Sequence, residues 1–249
     1  ALGGTMIAVV GIDPTMLINS IVFLPYLAAI MLIRITEQAR PKSERQRFLF
    51  ELWDGARYAA LHPIIREAML LTCVSSLTVR GVGEIVPAIA DGVFQRGAEG
   101  LGQMLSMGGA GALIAALTVS LRSGGNWADG IPTIAHVSVF IGLSGVALIG
   151  AAEHWYFALA CVSVVGFCGT MIGINMQSAI QLTVDESYRG RVMSLWMVVG
   201  LGTSSLGALL LGSLTDVFGL SATLISAGLI GIVVVIVLRH ALGRMVQPR

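Results

Sequence analysis

Apolar residues in this chain neither alternate nor keep to one stripe of a helix. They run on, uncharged in all but one case, for about twenty positions at a time, the length that crosses ~30 Å of hydrocarbon at roughly 1.5 Å per residue. Such runs occupy residues 14–33, 68–90, 101–121, 131–151, 155–183, 192–214 and 220–238. Residues 1–11 are apolar but too short to span. Hydrocarbon satisfies no open backbone N–H or C=O, so each full run is expected to be a helix. The pattern predicts an all-α, polytopic transmembrane bundle of these seven spans and a stub. The connections are mostly short, which forces sequential helices to run antiparallel.

Composition agrees: the chain is 55% hydrophobic and 12% charged, with mean hydropathy +0.85. Soluble domains carry about 25% charged residues, so a water-soluble globule is excluded. A net charge of +1, with no basic stripe interleaved with aromatics, gives no footing for nucleic acid. Cys73, Cys161 and Cys168 lie inside apolar runs without a C-x-x-C spacing and read as small hydrophobes. The opening "ALGGTMIAVV" has neither a Met nor a charged region ahead of its apolar residues. It reads as the middle of a longer pattern rather than as a signal peptide.

Charge then orients the spans. Of 15 Lys and Arg, Arg80 lies within a span, Arg96 falls alone on one side, and the other thirteen fall on the opposite side when the alternation is followed from Arg34. Cytoplasmic loops accumulate Lys and Arg, so the crowded side, with the carboxy terminus, is expected to be cytoplasmic. Residues 35–67 form the one long linker, on that side. Its polar "TEQARPKSERQR" gives way to "FLFELWDGARYAALHP". That second stretch puts Phe48, Leu49, Leu52, Ala56, Ala59 and Ala60 on one helical face and Glu51, Asp54 and Arg57 on the other, with Trp53 and Tyr58 suited to an interface. It predicts a helix lying flat on the membrane surface.

A second charged cluster, "VDESYRGRVMSL", interrupts the late spans. Asp185 and Glu186 precede a helix expected to start near Val192, where a helix N-terminus favours acids. Arg189 and Arg191 gain nothing from that dipole and need acidic partners, terminal carbonyls or anionic head groups. Two readings stay open for the four charges: a topology anchor, or a conformational latch.

Among the spans, 68–90 is the only one with interior charge, Arg80 and Glu84. A lone charge near mid-membrane costs at least ~3 kcal/mol on insertion scales. Glu84 lies one turn beyond Arg80 on the same face, so each is expected to neutralise the other in part. Gly81, Gly83 and Pro87 loosen or kink this segment. The pair is either self-satisfied and structural, or a proton-coupling or substrate-contact pair. In "GINMQSAIQLT", Gln177 and Gln181 share a face and Asn175 lies about 200° around from Gln177. Buried amides need partners, in neighbouring helices or in a wet cavity. Gly200, Gly202, Thr203, Ser204 and Ser205, and the run "MGGAGALIAAL" at 107–117, read as small residues permitting close helix approach.

Other chemistry has no foundation in the sequence. There is no Gly-x-x-x-x-Gly-Lys-Ser/Thr phosphate cradle. His62, His136, His154 and His240 are scattered, so no metal site is assigned. No Ser-His-acid set converges on one membrane side, and no cofactor is expected.

The opening "ALGGTMIAVVGIDPTMLINS" is echoed by "SLGALLLGSLTDVFGLSATLIS", at matching places between an outward and an inward span. The end of one repeat, a long cytoplasmic linker and a six-span repeat resemble the architecture of the major facilitator superfamily. "ALGG" resembles its fifth helix, "RGVGEIVPAIADGVF" the end of its helix 7, and "DESYRGRVMSL" the stretch between helices 10 and 11. The combination is most similar to the subgroup of the enterobactin exporter and related drug exporters. The resemblance implies a second six-helix half preceded by helix 6 and a stub of helix 5: residues 1–34 end the first half, 35–67 link, 68–238 form the second half, and 239–249 are a cytoplasmic tail. It further implies a proton-coupled secondary exporter, not an enzyme, moving a small amphipathic solute (a siderophore, drug-like compound or lipid-like molecule) by alternating access. Its partners would be membrane lipids, the solute and the other half of the same transporter. The superfamily's loop pattern is worn at "LRSGGNWADGIP", where Arg122, some glycines and Asp129 remain, and "GSLTDVFG" reads as a tight outer turn. The rival readings are a multi-pass enzyme acting on lipid-linked substrates, with Asp185 and Glu186 its nearest candidates, and an inactive half-transporter.

Overall fold

A computed structural model describes residues 12–32, 48–121 and 131–246. The stub at 1–11, the polar first part of the linker, and the loop with Arg122 and Asp129 lie outside the described residues. Among those described, seven helices are long and apolar enough to cross a membrane, as the hydropathy pattern predicts. The chain divides into two compact units, Ala1–Phe48 and Leu49–Arg249. The described part of the first is α1 (Ile12–Leu32), apolar nearly throughout and with Pro25 in its interior.

The second unit opens with the linker helix α2 (Phe48–Leu61). Pro63 forces His62 into extended backbone (φ −86, ψ 116) and then occupies the first turn of the next helix, so one residue both ends α2 and starts α3. α3 runs from Pro63 to Val93 and is not uniform. Widened π turns at Ser76–Arg80 and Ile89–Val93 bracket a regular segment, Gly81–Ala88, that contains Pro87. The loosening expected around Gly81, Gly83 and Pro87 therefore takes the form of two π turns rather than a break.

α4 (Gly97–Leu121), α5 (Thr133–Gly150), α6 (Trp155–Thr183), α7 (Arg189–Phe218) and α8 (Leu220–Val246) complete the bundle. α6 is central: α4, α5 and α3 pack against it, α8 packs on α5, and α7 packs on α3 around its first π turn. Ile65, Met104, Leu143, Met176, Ile180 and Leu224 are fully buried at these seams, while Leu113, Leu117, Leu201, Leu209 and Val233 face outward. Lipid is as apolar as Leu, so seams between spans depend on close contact rather than on burial. Glycine provides it. A Cβ on Gly111 would overlap the Ser163 carbonyl, one on Gly166 the Gly108 carbonyl, and one on Gly207 the Leu77 carbonyl. The run at 107–117 is thus a packing surface. On α7 the close crossing lies at Gly207, not at the expected Gly202, whose Cβ position has nothing within 4 Å. The turn at "GSLTDVFG" is as tight as expected: Gly219 takes φ 82 and α8 begins at the next residue.

Several helix ends differ from the hydropathy reading: α4 begins at Gly97 rather than 101, α7 runs on to Phe218 rather than 214, and α8 to Val246 rather than 238. α3 begins at Pro63 rather than 68, taking Arg66 and Glu67 from the linker, and α7 begins at Arg189 rather than near Val192. Charged residues at a span's end stop an apolar run, but they do not stop backbone hydrogen bonding.

Candidate functional site

The face built by α3 and α6 holds the interior charges. Arg80 closes the first π turn and Glu84 follows one turn later, both exposed on the second unit. The expected neutralising pair does not form: no ion pair or hydrogen bond joins them. The Arg80 guanidinium extends toward α6 instead, where a Cβ on Gly173 would lie 3.7 Å from its Nη2. Helical side chains lean toward the N-terminus of their helix, so Arg80 leans away from Glu84. Gly173 leaves room for it.

Arg80 sits between two pockets. One is lined by Thr72, Val79, Ile172, Trp196, Met197 and Leu201 among others. The second runs over Gly83, Leu105, Gly109, Val165, Gly169 and Thr170. Trp196 on α7 is fixed by Nε1–H donation to Thr72 Oγ1, 3.3 Å.

The amides separate as the helical angle predicts. Asn175 is buried and donates Nδ2–H to the Met171 carbonyl, 2.7 Å, on its own helix. It is satisfied locally and opens on neither pocket. Gln177 is half-buried and Gln181 exposed, and at four-residue steps they continue the Gly173 face of α6.

At the linker end, α2 docks on the turn between α6 and α7. Tyr58 stacks on Tyr188, with centroids 4.3 Å apart and planes within 9°. Its hydroxyl accepts the Asp185 backbone N–H at 3.2 Å. Burial raises the Tyr58 phenol above its ordinary value of 10.0, so it stays a neutral hydroxyl. Arg191 Nη1 donates to Asp54 Oδ2 at 3.0 Å, and its guanidinium lies 5.8 Å from the Tyr188 centroid. Of the four latch candidates, Arg191 is held by a carboxylate and Asp185 by its backbone, whereas the side chains of Glu186 and Arg189 are exposed. The face of α2 that packs differs from the expected row of apolar residues. α2 turns Gly55 and Ala59 into the protein with Asp54 and Tyr58 beside them, and leaves Trp53 72% exposed.

The chain matches the model of the transmembrane secretion effector family over residues 1–247. It belongs to that family, a branch of the major facilitator superfamily. It is 24% identical over 217 residues to the enterobactin exporter EntS of Escherichia coli O1:K1 / APEC, covering 86% of this chain and 51% of that protein. To the enterobactin exporter EntS of Escherichia coli strain K12 it is 23% identical over 222 residues, covering 86% and 52%. The chain spans about half the length of the curated relatives it matches. No solved structure matches it.

As a multi-pass membrane protein of this family, the chain carries polar contacts that its sequence did not reveal. His136, at the start of α5, lies with Nε2 2.8 Å from Glu67 Oε1, at the start of α3; the side chains are 15% and 28% exposed. The histidines were sought as a metal cluster, and Glu67 was placed in the linker, so neither drew notice. Asp54 was assigned to a solvated face. At the opposite end, Trp155 donates Nε1–H to Gln103 Oε1 at 3.0 Å, Phe94 meets its ring edge-on at 5.2 Å, and the Arg96 guanidinium lies 4.9 Å from its centroid. Aromatic residues flanking a charged turn were the available signal.

Proposed function

We propose that this chain is one lobe of a secondary active exporter. It moves a small amphipathic solute against a proton gradient by alternating access, with the arginine-rich linker end and the carboxy terminus in the cytoplasm. The carrying observation is that Arg80, exposed near mid-span on the α3–α6 face, lines two apolar pockets, with Glu84 exposed one turn beyond it. The family supports transport, and the relatives named as enterobactin exporters support the outward direction. Intramembrane ionisable groups mark solute or proton paths. The π turns beside Arg80 and beyond Pro87 give α3 the irregular geometry that often accompanies a functional site.

The test is gradient-driven solute movement by the full-length protein in inverted membrane vesicles. An uncoupler should abolish it, and Glu84→Gln should reduce it by about a hundredfold or more, the lower range for losing a group that handles a proton. Equal movement with and without the uncoupler would remove proton coupling. Normal coupled transport by the Glu84→Gln protein would remove Glu84 from it.

A further inference from the structure

We infer that the solute is an anionic amphiphile and that Arg80 is the group that receives its negative charge; this rests on the α3–α6 face being the solute path. Arg80 stands near the middle of α3, where an unneutralised charge is costly. Among the described residues it has no ion pair or hydrogen bond: Glu84 does not reach it, and its guanidinium lies over Gly173, the residue type that leaves it accessible. It lines both flanking pockets and is the one charged residue in either lining. Among the described residues, no carboxylate lines either pocket.

The walls supply the rest of the specificity. Val79, Ile172, Trp196, Met197 and Leu201 surround the first pocket with apolar surface. A solute that satisfies Arg80 while covering these walls carries a carboxylate, phosphate or comparable anion on an apolar body. A planar oxyanion has the further advantage of meeting the guanidinium fork through two parallel hydrogen bonds. A cationic solute would place like charges together in a low-dielectric cleft, and a neutral one would leave Arg80 unpaired.

The experiment uses the full-length transporter in inverted vesicles with three fluorescent probes: a dansylated long-chain amino carboxylate, its methyl ester, and a dansylated alkyl diamine of the same chain length. Wild-type vesicles should move the carboxylate about tenfold or more faster than either of the others, the factor set by one charge-assisted hydrogen bond. Arg80→Gln should collapse the carboxylate-to-ester ratio toward one, and Arg80→Lys should hold an intermediate ratio with a raised KM. Wild-type selectivity decides the matter even if the Gln variant fails to fold. Gradient-driven movement of the ester or the diamine at the carboxylate's rate overturns the inference and leaves the transporter reading standing. Equal loss of all three probes in an Arg80→Gln protein that folds and reaches the membrane at the wild-type level marks Arg80 as a structural cation and overturns it as well. If wild-type vesicles move no probe, both readings fall.

Discussion

Asp54 and Arg191, 137 positions apart in sequence, meet with Oδ2 and Nη1 3.0 Å apart where the linker helix crosses the first turn of α7. Their side chains are 36% and 38% exposed, so the pair is worth little alone, about 0.2–1 kcal/mol. Arg191 also lies over the Tyr188 ring. Arg191→Ala should therefore lower the melting temperature in detergent more than Asp54→Ala does, and the Asp54→Arg/Arg191→Asp exchange should restore part of the loss. A double-mutant cycle with zero coupling would remove the ion pair from the dock.

Tyr58 holds the same dock by its ring and its hydroxyl. Tyr58→Ala loses the stack, ~0.5–1.5 kcal/mol, and the acceptor for the Asp185 N–H, ~0.5–1.5 kcal/mol. Tyr58→Phe should lose the second alone. Burial raises the phenol's pKa above 10.0, which fixes the sign with pH. Below 10 both folded and unfolded chains hold the proton and the contribution is complete. As pH rises past 10 the unfolded chain ionises first, and the contribution is lost up to the folded value. Melting curves should show the wild-type advantage over Tyr58→Phe constant from pH 7 to 9 and shrinking above about 10. An advantage that grows there would contradict this environment for Tyr58.

How much of this was legible depends on what each feature answers to. The spans respond to the solvent itself, and hydropathy reads that directly; residues 155–183 are α6 to the residue. The starts of α3 and α7 were misplaced because Glu67 and Arg191 end an apolar run without ending a helix. Spacing put Arg80 and Glu84 on one face, but whether they pair is decided by Gly173, a gap in another helix. The face of α2 was read by counting apolar residues against lipid. What docks is Gly55 and Ala59 between Asp54 and Tyr58, chosen by the shape of a turn more than a hundred positions away.

Glycine on α7 gives a paired test of the packing. A Cβ on Gly207 would fall on the Leu77 carbonyl, and one on Gly202 meets nothing within 4 Å. Gly207→Ala must push α7 off the first π turn of α3 and should cost ~1–3 kcal/mol by overpacking. Gly202→Ala removes backbone freedom without a clash and should stabilise by roughly 0.5–1 kcal/mol. The two melting temperatures should move in opposite directions; a Gly207→Ala protein as stable as the parent would mean that the helices do not cross there.

His136 and Glu67 tie α5 to α3 at the linker end, and the tie is polar in a region otherwise held by apolar contact. His136 Nε2 and Glu67 Oε1 share one hydrogen bond across 2.8 Å. Glu67→Ala leaves a largely buried imidazole nitrogen without its partner, at about 1–3 kcal/mol. Glu67→Gln keeps an acceptor in place and should cost less. Replacing both residues with apolar side chains of similar size should recover much of the loss, because the unmade hydrogen bond is what destabilises the single variant. The ordering of melting temperatures is the check: parent, Glu67→Gln, then Glu67→Ala, with the double apolar variant above Glu67→Ala. Equal melting of Glu67→Ala and the parent would show that α3 and α5 are held without this contact.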